Sequence, residues 1–157
     1  MEYLTDGYRL DGRRPNEFRK LECRLAPFRQ ADGSAYLSQG GTKVLAAVYG
    51  PYEPRNEVNR DGQCSINVEY ARATFATLEH RNRARGDKRS QDISQRIKAA
   101  LESAVVTSVY TRSTIDVYLQ VIESDGADWS ACINCAGLAM TIILKKLKKF
   151  IKIDSFG

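Results

Sequence analysis

At 157 residues, with 43% hydrophobic and 27% charged side chains, the chain has the composition of one globular domain and not of a disordered polyelectrolyte. Its longest apolar stretches, 44–49 and 140–144, fall far short of the ~20 residues a membrane-spanning helix needs. The acid-bearing start, Met1 to Asp6, is unlike a secretory leader, so a cytosolic or nuclear setting with reduced thiols is expected. A net charge of +5 and a pI near 9.1 favour a polyanionic partner, nucleic acid or an anionic membrane surface, and charge alone does not choose between them.

The first predicted strand covers Leu21 to Phe28, where Leu21, Cys23 and Leu25 alternate with Glu22, Arg24 and Ala26 in the pattern of a half-buried strand. A turn at 30–33 leads into a second strand over 34–39. Gly40-Gly41 breaks it, and a third, apolar strand runs from Lys43 to Tyr49 and ends at Gly50-Pro51, which makes a three-strand meander. A fourth strand over 65–72 puts Ile66, Val68 and Tyr70 on one face. Between 90 and 109, Ile93, Ile97, Ala100, Leu101, Ala104 and Val105 recur at spacings of three and four, the stripe of an amphipathic helix, with Ser90 and Asp92 as caps. Thr114 to Ile122 alternates again and reads as a strand. After the turn at 124–128, a second helix starts near Ser130 and carries Ile133, Gly137, Met140, Leu144 and Leu147 on one side, with small residues at 131, 136 and 137 permitting close packing. Strands first and helices afterwards argue for an α+β domain whose helices cover one face of a mainly antiparallel sheet.

Several residues invite a chemical reading. Arg81, Arg83, Arg85, Lys88 and Arg89 face one acid, Asp87, in a short stretch that suits phosphate contacts; a solvated loop explains it as well. The arginines at 9, 13, 14 and 19 fit either contacts to a polyanion or ion pairs with another chain. Cys132 and Cys135 have zinc or redox spacing but lack a second ligand pair, so buried structural thiols are expected, and no metal or cofactor. The lone histidine, His80, sits among arginines and is a poor triad base; Gly40-Gly41 lies between strands, outside any phosphate-loop context.

The run Gly7-Tyr8-Arg9-Leu10-Asp11-Gly12-Arg13-Arg14-Pro15-Asn16-Glu17-Phe18-Arg19 resembles the N-terminal signature of RNase PH-like exosome subunits. The likeness continues through 33–35, Gly40-Gly41-Thr42-Lys43-Val44-Leu45-Ala46, 48–51 and 113–117 to about Ala139. It implies a ribosomal-protein-S5-domain-2-like fold and pairing with other RNase PH-like chains in a hetero-hexameric ring around an RNA channel. S1/KH-type cap subunits are implied as further partners, and the nucleus, nucleolus and cytoplasm as locations. The implied work is 3′-to-5′ RNA processing and degradation, including rRNA processing and mRNA turnover. In relatives that degrade RNA, basic residues matching Lys88 and Arg89 grip the RNA backbone.

The same resemblance points to a missing site. Phosphorolytic relatives hold inorganic phosphate with Gly-Thr-Arg or Gly-Ser-Arg at the turn before the second helix, and the matching positions here are Ala127, Asp128 and Trp129. Asp128 repels the anion and Trp129 lacks a guanidinium, whereas Asp at a helix start is a good cap. The acidic residue such relatives use as general acid falls beyond this chain's end. The chain is therefore expected to be a non-catalytic RNA-binding ring subunit, with a phosphorolytic exoribonuclease active only with a partner as the alternative. Residues 1–141 read as an incomplete RNase PH-like domain. Residues 142–157, rich in Ile and Lys, read as an atypical tail of a truncated or misassembled product, the membrane-surface helix of Ile143, Leu144, Leu147 and Ile151 against lysines being the other reading.

Overall fold

The computed structural model describes residues 4–5, 7–9, 11–53, 64–77, 87–105 and 112–154, without side chains at 4–5 and 146–154. A small hairpin, β1 (Leu4–Thr5) with β2 (Tyr8–Arg9), precedes the sheet. The sheet comprises β3 (Leu21–Leu25), β4 (Gly33–Gln39), β5 (Thr42–Tyr52), β6 (Ser65–Arg72) and β7 (Thr114–Glu123) in the order β3-β4-β5-β7-β6. Helix α1 (Lys88–Ala104) connects β6 to β7, and α2 (Asp128–Asp154) follows β7. All neighbours are antiparallel except β6 and β7, whose parallel pairing requires the crossover that α1 supplies. The α+β reading of the sequence, with helices over one face of a mainly antiparallel sheet, is borne out.

Register explains the core. Ala35 faces Ala46, Leu37 faces Val44, Val44 faces Val121, Ala46 faces Leu119, and Ile66 faces Ile115, so one apolar face is continuous across four strands. Ile93, Ile97 and Leu101 of α1 close it over β6, and α2 closes it over β4 and β5. Each fully buried Val, Leu or Ile contributes about 1.5–3 kcal/mol. Gly33 is what lets α2 settle so close: a Cβ there would meet the carbonyl of Ala139 and lie 2.8 Å from Ile143 Cγ1.

Several expectations are corrected. The strand over 21–28 was expected half-buried; β3 is shorter and exposed throughout, Leu21 at 59%. Its register puts Leu21, Cys23 and Leu25 on the same face as the core, but α2 lies mainly over β4 and β5 and barely reaches this edge. β5 does not stop at Gly50-Pro51: its pairing slips between Tyr49 and Tyr52 and resumes opposite Thr114. Helix α1 begins earlier, at Lys88, because Asp87 is the cap and accepts the Arg89 N–H; Ser90 and Asp92 lie inside the helix. It ends at Ala104, with Val105 already extended, and residues 106–109 lie outside the described residues. The buried stripe of α2 is Ala131, Cys132, Cys135, Ala136, Ala139, Met140 and Ile143, while Ile133 is exposed and Gly137 and Leu144 are half-buried. Small side chains won the contact because they permit the closer approach to the sheet. α2 passes across 141–142 without a break, and Ile143 packs in the core beside Gly33. Among the described residues no helix is long and apolar enough to cross a membrane.

Candidate functional site

The turn between β7 and α2 is where the sequence analysis places a lost phosphate site, and three neighbours fix its shape. Thr42, fully buried at the start of β5, donates its hydroxyl to the Gly126 carbonyl (2.7 Å) and accepts the Asp125 N–H (3.0 Å). Arg19 donates from Nη1 to the carbonyls of Asp125 (2.9 Å) and Gly126 (3.3 Å). Gly41 has no room for a side chain, because a Cβ would lie 2.8 Å from the Asp125 side chain. The turn closes with Ala127 in the left-handed region at φ 58°, where a non-glycine residue is uncommon.

From there the chain enters α2 at Asp128, whose side chain is 8% exposed. Its carboxylate accepts from Arg72 Nη2 at 2.5 Å and from the Ser124 hydroxyl, which is 2.8 Å from both oxygens. Asp128 therefore complements the positive end of the helix dipole, but its hydrogen bonds come from Arg72 and Ser124, and not from the backbone N–H groups that the capping reading requires. Arg72 is the last residue of β6 and shares the core face with Ile66, Val68 and Tyr70, so it needs an anion and Asp128 supplies it. Next to it lies the buried Tyr70 hydroxyl, and burial pushes its phenol above the ordinary value against the opposing pull of the Arg72 guanidinium. Ser124 N–H donates to the Ala76 carbonyl (2.9 Å), which ties the 73–77 turn to this corner.

Trp129 points the other way. It is 46% exposed, and the Cζ of Arg96 from α1 stands 4.8 Å from its ring centroid, a cation–π contact. The sequence therefore located Ala127, Asp128 and Trp129 in one turn, while Arg72, Ser124 and Arg96 were missed as members of the site. A usable signal existed for Arg72: strict alternation from Ile66 places a guanidinium on the apolar face, where it must find a partner.

Lys88 and Arg89 are exposed in the first turn of α1, while Arg81, Arg83, Arg85 and His80 lie outside the described residues. The N-terminal arginines bond largely within the chain. Arg9 donates to the Pro15 carbonyl (2.7 Å), Arg13 pairs with Asp11 (2.6 Å) and donates to the Glu17 carbonyl, and Arg19 holds the 125–126 turn. Asp11, gripped by Arg13, is held below the usual carboxylate range. Cys132 and Cys135 are buried, and burial pushes both thiols up to about 12. Cys135 Sγ lies 3.4 Å from the Ala35 carbonyl and 3.6 Å from that of Val44. Among the described residues no group of three or more His, Cys, Asp or Glu side chains is placed to hold a metal ion.

Comparison with known proteins places this geometry. Over its whole length the chain is 45% identical to exosome complex component RRP41 of Mus musculus, of which it spans 65%. It is 42% identical, over 89% of its length, to the RRP41 homolog of Arabidopsis thaliana and spans 59% of that protein. A crystal structure of rice (Oryza sativa) Rrp46 matches 86% of this chain and 61% of its own at 32% identity and a TM-score of 0.75. An Archaeoglobus fulgidus exosome with RNA bound to its active site has the same fold, with a TM-score of 0.72 at 24% identity over 85% of this chain and 55% of that one. Residues 17–144 match the model of the RNase PH 3′ exoribonuclease family, domain 1, and the chain belongs to that family.

Proposed function

We propose that this chain is an RNA-contacting subunit of an exosome-type ring that does not itself perform phosphorolysis. It pairs with other RNase PH-like chains around an RNA channel beneath S1/KH-type caps, and acts in the nucleus, nucleolus and cytoplasm. Likeness to RRP41 over the whole chain supports the assembly. The observation that carries the non-catalytic part is the state of the 127–129 turn. An attacking phosphate needs donors there, but the Arg72 guanidinium and Ser124 hydroxyl are bonded to the Asp128 carboxylate, and the next residue is an indole. With both donors already taken by Asp128, a second anion entering this partly dehydrated corner would lose water without gaining hydrogen bonds from Arg72 or Ser124. Lys88 and Arg89, with Arg81, Arg83 and Arg85 before them, would take RNA phosphates without reading sequence.

The test is a ring reconstituted with partner RNase PH-like chains, given single-stranded RNA and inorganic phosphate. No phosphate-dependent release of nucleoside diphosphates is expected from sites belonging to this chain. Release that disappears when this chain alone is altered at Asp128 or Arg72 would make it a phosphorolytic exoribonuclease instead. For RNA contact, Lys88→Ala with Arg89→Ala should lower affinity and reduce the slope of log affinity against log salt by about 1.4; an unchanged slope removes both residues from the RNA path.

A further inference from the structure

Trp129 is the only tryptophan in the sequence, and its place is unusual for so large a ring. It stands in the first turn of α2 and not in the core, with Arg96 of α1 over the indole. An aromatic ring left this open forgoes much of the burial that normally stabilises such a side chain. Its sequence neighbour Asp128 presents little free charge, since its buried carboxylate is paired with Arg72. Seven residues before Arg96, which is about 10 Å along the helix axis, stands Arg89 on the same stripe of α1, with Lys88 adjoining it; all three cations are exposed. Of the acids on this part of α1, Asp87 is engaged at the helix cap and Asp92 is exposed on the same rim, so cations outnumber acids. A second bare ring, Phe75, belongs to the 73–77 turn that Ser124 N–H ties to this corner.

We propose that Trp129, backed by Arg96, is a stacking site for a nucleobase of single-stranded RNA, the strand continuing along α1 past Arg89 and Lys88. This rests on the RNA-contact reading above and adds the base-binding element to it. An indole accepts any base on its π face, so the site is tolerant of sequence, and the cation on the ring strengthens stacking while meeting the adjoining phosphate. Exposed Trp and Arg also anchor protein interfaces; the flanking Arg89 and Lys88 favour a polyanion over a protein.

Because there is one tryptophan, its emission reports this site alone. The experiment titrates the full chain with a single-stranded oligoadenylate and, separately, with an abasic oligonucleotide of the same length, following Trp129 fluorescence and, independently, anisotropy of a labelled strand. Saturable quenching by oligoadenylate, with the abasic strand binding more weakly and quenching little, is the expected result. Trp129→Ala should weaken oligoadenylate binding roughly 5- to 150-fold and leave the abasic strand nearly unaffected; Arg96→Ala should weaken both. If anisotropy shows RNA bound through Lys88 and Arg89 while Trp129 emission stays constant, the stacking site is refuted and the RNA-contact reading stands. If neither strand binds, both are refuted. A change in emission on adding a partner RNase PH-like chain, with no response to RNA, makes the patch a protein interface and overturns the proposal.

Discussion

Asp128→Asn removes one charge from the corner where β6, β7 and α2 meet while keeping the side chain's shape. A fully buried ion pair that loses one partner costs about 3–5 kcal/mol. Here the Arg72 side chain keeps 30% exposure, so part of its hydration survives, and Asn can still accept a bond from Ser124. Hydrogen bonds to charged groups contribute about 1.5–3 kcal/mol, and the expected loss is therefore about 2 kcal/mol. For a chain of 157 residues each kcal/mol moves Tm by roughly 2–4 °C, which gives a fall of about 4–8 °C. Urea unfolding followed by far-UV circular dichroism measures it, and a cycle with Arg72→Met separates the pair from its surroundings. The coupling between the two substitutions should exceed about 1 kcal/mol, whereas independent sites add within about 0.3–0.5 kcal/mol. Simple additivity would refute the reasoning: the pair would then contribute nothing, and Asp128 would have to be explained without Arg72.

Three further outcomes follow from the packing. Gly33→Ala should destabilise the chain by about 1–3 kcal/mol, because the new methyl meets the Ala139 backbone; an unchanged urea midpoint would mean α2 can move aside freely. Thr42→Val keeps the volume but strands the Asp125 N–H and leaves the Gly126 carbonyl only its longer bond from Arg19, and should cost about 1–3 kcal/mol, with an exchange-protected Asp125 amide becoming labile. Cys132 and Cys135 titrate near 9.0 when unfolded and at about 12 when folded, so the folded state retains protons that the unfolded state releases. Their contribution is complete below pH 9 and is lost as pH rises toward 12; Cys132→Ala should flatten that alkaline fall, and at pH 8 a thiol reagent should modify the exposed Cys23 well before the buried pair.

Alternation made most of the sheet legible. Ile66, Val68 and Tyr70, and Ile115, Val117, Leu119 and Val121, have the burial their period implies, because a strand with one covered face leaves that imprint directly. The same imprint misleads at β3, where Leu21, Cys23 and Leu25 alternate correctly but lie at the margin of the helical layer and stay exposed: periodicity encodes a face and says nothing of what covers it. For α2 the large apolar residues at 133 and 144 suggested part of one stripe, yet close approach to the sheet rewards small residues: Ile133 is exposed and Leu144 half-buried, while Ala136 and Ala139 are buried. At the candidate site, local positions were readable from the turn, whereas the bonds from Arg72, Thr42 and Arg19 depend on residues 56, 83 or more positions away. The register of the sheet brings Arg72 and Thr42 to the turn, and Arg19 reaches it from the segment just before β3.

Strand order carries a consequence for synthesis. Of the described strands β7 is the last in chain order, yet it lies between β5 and β6. While a ribosome is still working toward residue 114, Val44 and Val48 have a vacant flank beside them, and β6 has no neighbour to join. The core therefore forms late and at once, when one segment inserts between two that are already waiting. Nascent chains halted before Thr114 should be cut readily by protease within 33–52, and chains extended well past α2 should resist. The interval between those two lengths is when this protein most depends on a chaperone.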